Sequence, residues 1–239
     1  MENKKSLLNL SSVNIVPKLS VRIPTVGEVL EDENTYYSIA SSLTATPYQY
    51  MVQLDDWGID YTQITDYELF KILFPVYAKY DLSLLFGDLD TSDFDIYTDS
   101  LNGNKILYSP SNDIVIDEFV YNDLANTIRK INLFEKVKSK PGNESARKYL
   151  LEKERKRQKR NAKKAREPYL EKMVIALVNT TEFPYDYDSC MNLSIYRFNQ
   201  SLKQIQHKIA FDNTMIGVYA GTVDTSKMSN KDTLSWIQK

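Results

Sequence analysis

The sequence predicts a predominantly helical α+β fold: a helical domain with a small antiparallel β-hairpin or meander and a long basic helical arm. Three observations lead to this prediction. Apolar residues recur at helical spacing behind capping signals, an Asn-Gly pair separates two alternating segments, and residues 153–166 read K-E-R-K-R-Q-K-R-N-A-K-K-A-R. With 239 residues, the chain is long enough to bury a full core without disulfides or metals.

The helices are predicted from local signals. Residues 65–68 read T-x-x-E, a capping box that opens an apolar helix. A second helix is expected from about residue 47 to Gly58, with Pro47 at its first position. Asp117 is expected to cap a helix that runs to Arg129. One earlier helix from Asn34 should bury a single face, formed by Tyr36, Ile39, Ala40 and Leu43.

The strands are predicted in the middle of the chain. F-D-I-Y-T-D and K-I-L-Y-S flank Asn102-Gly103, and Asn-Gly between alternating segments is a strong hairpin signal. Residues 114–116 could add a third strand. Four regions follow: an extended N-terminal arm (1–24), a helical region with the inserted hairpin at about 94–116 (25–139), a basic helical arm or linker (140–172), and a C-terminal helical region (173–239). The N-terminal arm is expected to pack on its own domain or to be lent to a neighbour.

The C-terminal region contains an apolar seam. A long helix is expected from Met191 towards Tyr219, with Asp188 as a candidate cap, and its apolar residues alternate steps of four and three. The seam comprises Met191, Ile195, Phe198, Leu202, Ile205 and Ile209. A core-facing stripe is the favoured explanation of this seam; the alternative is contact with a partner or a second copy. His207 should point away from the seam into solvent. The candidate partner-binding residues are Tyr196, Phe198, Leu202, Ile205 and Ile209.

The basic stretch makes the chain electrostatically bipolar. Residues 144–172 hold 12 Lys and Arg against 5 Asp and Glu, although the whole chain has a net charge of -2. Residues 153–166 contain no aromatic residue to stack on a base, so protein contact is the first interpretation and nucleic acid the second. As a helix, residues 143–167 would reach about 37 Å and would need an acidic partner, which another copy of the chain could supply. The candidate electrostatic residues are Arg155, Lys156, Arg157, Lys159, Arg160, Lys163 and Lys164.

Composition argues against most catalytic classes. One cysteine (Cys190) and one histidine exclude internal disulfides, Cys/His zinc sites and paired-His metal sites, and favour the cytoplasm. A calcium-loop pattern beginning at Asp88 fails because Asp93 stands where the turn requires glycine. Asp55 and Asp56 have no ligand cluster to join, and no nucleophile elbow or phosphate-binding loop occurs. We therefore expect no catalytic residues, metal or cofactor, no signal peptide and no membrane span.

Two stretches resemble a known family. The first contains I-P-T-V-G-E-V-L and, from Tyr36, Y-Y-S-I-A-S-S-L-T-A-T-P-Y-Q-Y-M-V-Q-L-D-D-W-G-I-D-Y. The second begins N-L-S-I-Y-R-F-N-Q-S-L-K-Q-I-Q-H-K-I-A-F-D-N-T-M-I-G-V-Y-A-G-T-V-D and is followed by L-S-W-I. Over residues 23–74 and 193–237, the chain resembles tail and baseplate assembly proteins of tailed bacteriophages that infect Gram-positive bacteria, particularly tail assembly chaperones. The resemblance omits the hairpin and the basic arm.

The resemblance implies a non-enzymatic protein in the cytoplasm of an infected host cell. Such chaperones coat the long helical tape-measure protein until the tail tube polymerises around it, so the implied partners are tail proteins, and a homo-oligomer is possible. The basic arm departs from the compact chaperones of this family and leaves a different step of tail or baseplate building open. The alternatives are a structural component of the virion and a nucleic-acid-binding protein that uses residues 153–166.

Overall fold

The computed structural model describes residues 6–99, 103–137, 139–162, 168–229 and 231–237. Over these residues it contains ten α-helices and two small antiparallel sheets, which confirms the predominantly helical α+β fold. The elements, in chain order, are β1 (Ser12–Val16), β2 (Leu19–Arg22), α1 (Val26–Glu31), α2 (Glu33–Leu43), α3 (Met51–Asp56), α4 (Asp66–Tyr77), α5 (Ser83–Phe86), β3 (Asp95–Thr98), β4 (Lys105–Ser109), β5 (Ile114–Ile116), α6 (Glu118–Asn132), α7 (Glu144–Asn161), α8 (Leu170–Val178), α9 (Tyr187–Met191) and α10 (Ile195–Tyr219).

The N-terminal segment folds as a hairpin rather than as one extended arm. β1 pairs antiparallel with β2 across a tight turn in which Lys18 has a positive φ of 68°. Leu19, Val21 and Ile23 point into the core and are almost completely buried. The segment predicted as an extended arm is therefore a pair of strands, and β2 buries one of its faces because successive side chains of a strand point to opposite sides.

The predicted meander is confirmed. β3 pairs with β4, and β4 pairs with β5, both antiparallel. The Asp99 N–H donates to the Asn104 carbonyl at 2.8 Å, and Gly103 supplies a positive φ of 72°; most of the turn, residues 100–102, lies outside the described residues. The apolar face of the sheet, including Leu107 and Ile116, is buried in the main core.

The local capping signals formed as expected. The Thr65 hydroxyl accepts from the Glu68 N–H while the Glu68 carboxylate accepts from the Thr65 N–H, and α4 begins at the next residue. Asp117 accepts from the Val120 N–H at 2.8 Å and caps α6, which continues three residues beyond the predicted end. The four predicted core residues of α2, Tyr36, Ile39, Ala40 and Leu43, are all buried.

Two helix predictions were wrong in their boundaries. The predicted helix after Thr46 starts with a turn, and α3 begins only at Met51. The predicted long helix from Met191 is two helices, because the chain breaks at residues 192–194 and Ser194 caps α10. The cap of α9 is Asp186, not Asp188.

The core has a main cluster and a smaller second cluster. The second cluster lies between α3, α4 and α7 and joins Met51, Leu54 and Leu73 to Leu151 of α7. Leu151 is the one fully buried residue in the described part of α7. It fixes the basic helix to the body of the protein, so this helix is not a free arm. No helix in the described ranges combines the length and hydrophobicity needed to span a bilayer.

Candidate partner-binding surfaces

The first half of α10 belongs to the core. Ile195 and Phe198 are fully buried, Ile205 is nearly so, and Tyr196 and Leu202 are partly buried against the main cluster. Of the predicted partner-binding residues, Phe198 and Ile205 are thus enclosed by their own chain. The heptad spacing of this segment is accounted for by packing against the protein's own body.

The second half of α10 is different, because beyond Ile205 it has no fully buried residue. Ile209 is 44% exposed, Ile216 67% and Tyr219 84%. Ile209 and Ile216 are seven residues apart and lie on the same side of the helix. We call residues 206–219 the distal half of α10; it extends for about 21 Å. The next step of the seam after Ile209 falls on the exposed Asp212, and Ile216 then adds one more apolar residue a full heptad beyond Ile209.

The chain that follows α10 turns back along it. The Gln204 Nε2 donates to the Trp236 carbonyl at 2.7 Å, and the His207 Nε2 lies 2.7 Å from the Ser235 carbonyl. His207 is half-buried, so the prediction of a solvated histidine was wrong. Trp236 and Ile237 are more than half exposed, and this segment therefore adds two apolar side chains beside α10. The sequence pattern did not predict that Trp236 and Ile237 lie beside α10, because only the tertiary structure brings the C-terminal segment back along this helix.

One face of the basic helix α7 is docked on the protein's own acidic surface. Arg155 Nη2 lies 2.7 Å from Asp55 Oδ2 and 2.6 Å from Asp56 Oδ1, at the end of α3. One turn before Leu151, Arg147 lies 3.8 Å from Asp60. These three α7 residues recur every fourth position and form one stripe. Arg155 donates hydrogen bonds to the carboxylates of Asp56 and Asp55, and these bonds raise the pKa of its guanidinium group.

The neighbouring face of α7 lines a groove with a volume of about 1010 Å³. We call it the α7 groove; Tyr149, Lys153, Lys156, Arg157 and Arg160 line it from α7, and Ser41, Tyr48, Gln49, Met51 and Val137 are on the opposite side. Glu152 and Glu154 also contribute, and Glu154 pairs with Arg157 (Oε2 to Nε, 2.7 Å).

The predicted electrostatic residues thus separate into distinct groups. Arg155 and Arg157 are paired within the chain, whereas Lys156, Lys159 and Arg160 have no carboxylate partner among the described residues. Lys163 and Lys164 lie outside the described residues. Sequence reasoning did not identify Tyr48 and Tyr149 as part of this surface, because Tyr48 comes from the loop before α3 and Tyr149 precedes the basic run.

The described residues contain no group of three or more His, Cys, Asp or Glu side chains placed to hold a metal ion. Asp93, which stands where a calcium loop would require glycine, holds a turn by hydrogen bonds instead. It accepts hydrogen bonds from the Ser109 hydroxyl at 2.6 Å and the Ser111 N–H at 2.8 Å, and these bonds hold the pKa of its carboxyl group below the usual value. Its carboxylate therefore fastens the β4–β5 turn.

Residues 159–239 match the family model described as YomV second domain. The match covers about a third of the chain: the end of α7, then α8, α9, α10 and the returning C-terminal segment. This family is phage-derived, which supports a phage origin for the present protein. Neither a curated protein nor a solved structure matches the chain.

Proposed function

We propose that this protein is a non-enzymatic phage tail assembly chaperone that holds a helical segment of another tail protein against the distal half of α10. The observation that carries the proposal is the exposure of Ile209, Ile216 and Tyr219 on a helix that none of the described elements fully covers. This surface lies within the segment that matches a phage-derived family. The resemblance to tail assembly chaperones supplies the tape-measure protein as the expected client.

The form of the surface supports a helical client. Apolar residues repeated every seven positions match the period of an amphipathic helix, which can lay its own apolar face along them. Lys208, which contacts Asp212 at 2.8 Å and Glu182 at 3.5 Å, places charged groups beside the apolar residues. A polar rim of this kind favours reversible contact, as expected of a chaperone that must release its client.

The proposal is tested by co-expressing the protein with the tape-measure protein of the same phage. We expect a soluble complex of defined stoichiometry in size-exclusion chromatography with light scattering. The double substitution Ile209→Ser with Ile216→Ser should abolish it. The matched control is Val76→Ser with Ile175→Ser, which replaces helical residues of similar exposure on α4 and α8. A client that remains insoluble with the wild-type protein, or a complex that both double variants form equally, would contradict the proposal.

The proposed function also predicts where the protein is found. A chaperone works in the host cytoplasm and leaves before the particle is complete, whereas a structural tail or baseplate protein remains. Mass spectrometry of purified particles distinguishes the two, because a chaperone should be missing from them. Light scattering of the protein alone tests whether two copies cover the distal half of α10 in the absence of a client.

A further inference from the structure

The α7 groove presents unpaired cations beside aromatic rings. Lys153, Lys156 and Arg160 are exposed, and no carboxylate within the described ranges pairs with them. Tyr149 is 65% exposed on the same face, and Tyr48 lies across the groove. From Tyr149 to Arg160 the helix rises by about 16 Å, so these groups form an extended stripe.

The contacts that hold α7 against α3 determine which of its side chains face the groove. The stripe that contains Arg147, Leu151 and Arg155 is held by α3 and the second core cluster. The helix therefore cannot rotate to turn its remaining cations away from the groove. Arg157 and Glu154 neutralise each other at 2.7 Å, which leaves three cations against the single carboxylate of Glu152. The groove has a net positive charge although the whole chain is slightly acidic.

We infer that the α7 groove binds single-stranded nucleic acid. Cations at intervals along a groove follow a phosphate backbone, and exposed aromatic rings stack on unpaired bases of any sequence. The exposed ring of Tyr149 provides the stacking element that residues 153–166 lack, and the partly buried Tyr48 forms the opposite wall. An acidic peptide would use the same cations but would have no need of an exposed Tyr149 ring. A duplex would keep its base faces inside the stack, so the rings favour a single strand. This inference is independent of the client surface on α10.

The test measures binding of the full-length protein to a fluorescently labelled 20-nucleotide oligothymidylate by anisotropy over a series of salt concentrations. We expect binding at low salt that weakens steeply as salt is added, because each neutralised phosphate contributes about 0.7 to the logarithmic salt slope of a single strand. The triple substitution Lys153→Gln, Lys156→Gln and Arg160→Gln should nearly abolish binding and make the slope shallower by about 2. The triple control Lys130→Gln, Lys148→Gln and Lys159→Gln removes the same charge outside the groove and should bind like the wild type.

Tyr149 distinguishes a nucleic acid from an acidic protein partner. Tyr149→Ala should weaken oligothymidylate binding about tenfold, whereas Tyr149→Phe should preserve it, because stacking needs the ring and not the hydroxyl. Polyglutamate serves as the competitor of similar charge. The inference is overturned if the oligonucleotide does not bind at low salt, if both triple variants lose binding equally, or if polyglutamate competes as well as unlabelled oligothymidylate and Tyr149→Ala changes nothing. That last result would assign the groove to an acidic protein.

Discussion

Arg155 of α7 reaches back across 100 residues of sequence to Asp55 at the end of α3, with 2.7 Å between Nη2 and Oδ2. The acidic partner that the basic helix needs is thus part of the same chain. Two carboxylates at the C-terminal end of α3 oppose the helix dipole, so the guanidinium also relieves an unfavourable charge there. Asp55 and Asp56, which had no role in the sequence interpretation, are the docking site of the basic helix.

Removal of these carboxylates should loosen α7. In the Asp55→Asn, Asp56→Asn double variant we expect faster tryptic cleavage within residues 144–161, because the helix loses its ion pairs with α3 while every tryptic site is kept. Added salt should reduce the difference between variant and wild type, since exposed ion pairs are screened. Asp123→Asn, on the exposed side of α6, is the control and should be cleaved at the wild-type rate. Equal cleavage of all three proteins would show that Leu151 and Arg147 fix the helix without these two carboxylates.

Shortening a side chain should destabilise the protein in the first half of α10 but not in the distal half. Phe198→Ala should lower the free energy of unfolding by about 3 to 5 kcal/mol, because Phe198 is fully buried. Ile209→Ala should change it by no more than about 0.5 kcal/mol, since Ile209 is 44% exposed. Urea denaturation followed by circular dichroism measures both. A large loss of unfolding free energy in Ile209→Ala would mean that the distal half of α10 is needed for the fold and is not available to a client.

A second long-range contact joins α2 to α8. Glu33 Oε1 accepts hydrogen bonds from the backbone N–H groups of Tyr169 and Leu170, at 2.9 and 3.0 Å, and so caps the start of α8. Glu33→Ala should cost about 1 kcal/mol, as the loss of a cap does. Hydrogen exchange of the first amides of α8 should accelerate, while amides in α6 should be unaffected. Unchanged exchange in α8 would show that its start is held by packing of Leu170 instead.

The capping box of α1 predicts a pH dependence. Burial would raise the pKa of Glu28, but hydrogen bonds from Thr25 and Arg22 and the charge of Arg22 outweigh burial and hold it below its ordinary value of 4.5. A carboxyl group whose pKa is depressed on folding stabilises the protein above pH 4.5, and this stabilisation is lost as the pH falls through the folded-state pKa. Glu28→Gln should therefore show a shallower loss of unfolding free energy below pH 4.5 than the wild type.

Thr25→Ala provides an independent check of the same pH effect. It removes the hydroxyl that bonds to Glu28 at 3.1 Å but keeps the carboxyl group. Loss of the Thr25 cap lowers stability at every pH, but the slope of the variant's stability curve at low pH should be intermediate between those of the wild type and Glu28→Gln. Urea midpoints measured from pH 7 downwards give the three curves. Parallel curves would mean that Glu28 has the same pKa in the folded and unfolded protein.

The short-range features of this chain could be predicted from its sequence. The Thr65 and Asp117 caps, the Asn-Gly hairpin and the buried face of α2 depend on residues within a few positions of one another, and each formed as expected. The break before α10 was missed because Ser194, its true cap, lies inside an uninterrupted apolar pattern. Periodicity records which residues are apolar but does not record where the backbone turns.

Whether the residues of each candidate surface are buried, paired or exposed depends on residues that are distant in sequence. Phe198 and Ile209 belong to one seam, yet only Phe198 is buried in the core, because the core cluster extends along α10 only as far as Ile205. Likewise Arg155 and Lys156 are adjacent, but a turn of about 100° between successive residues directs one to Asp55 and the other to the α7 groove. Burial and ion pairing are set by what the folded chain brings alongside, and a linear pattern of apolar and charged residues does not contain that information.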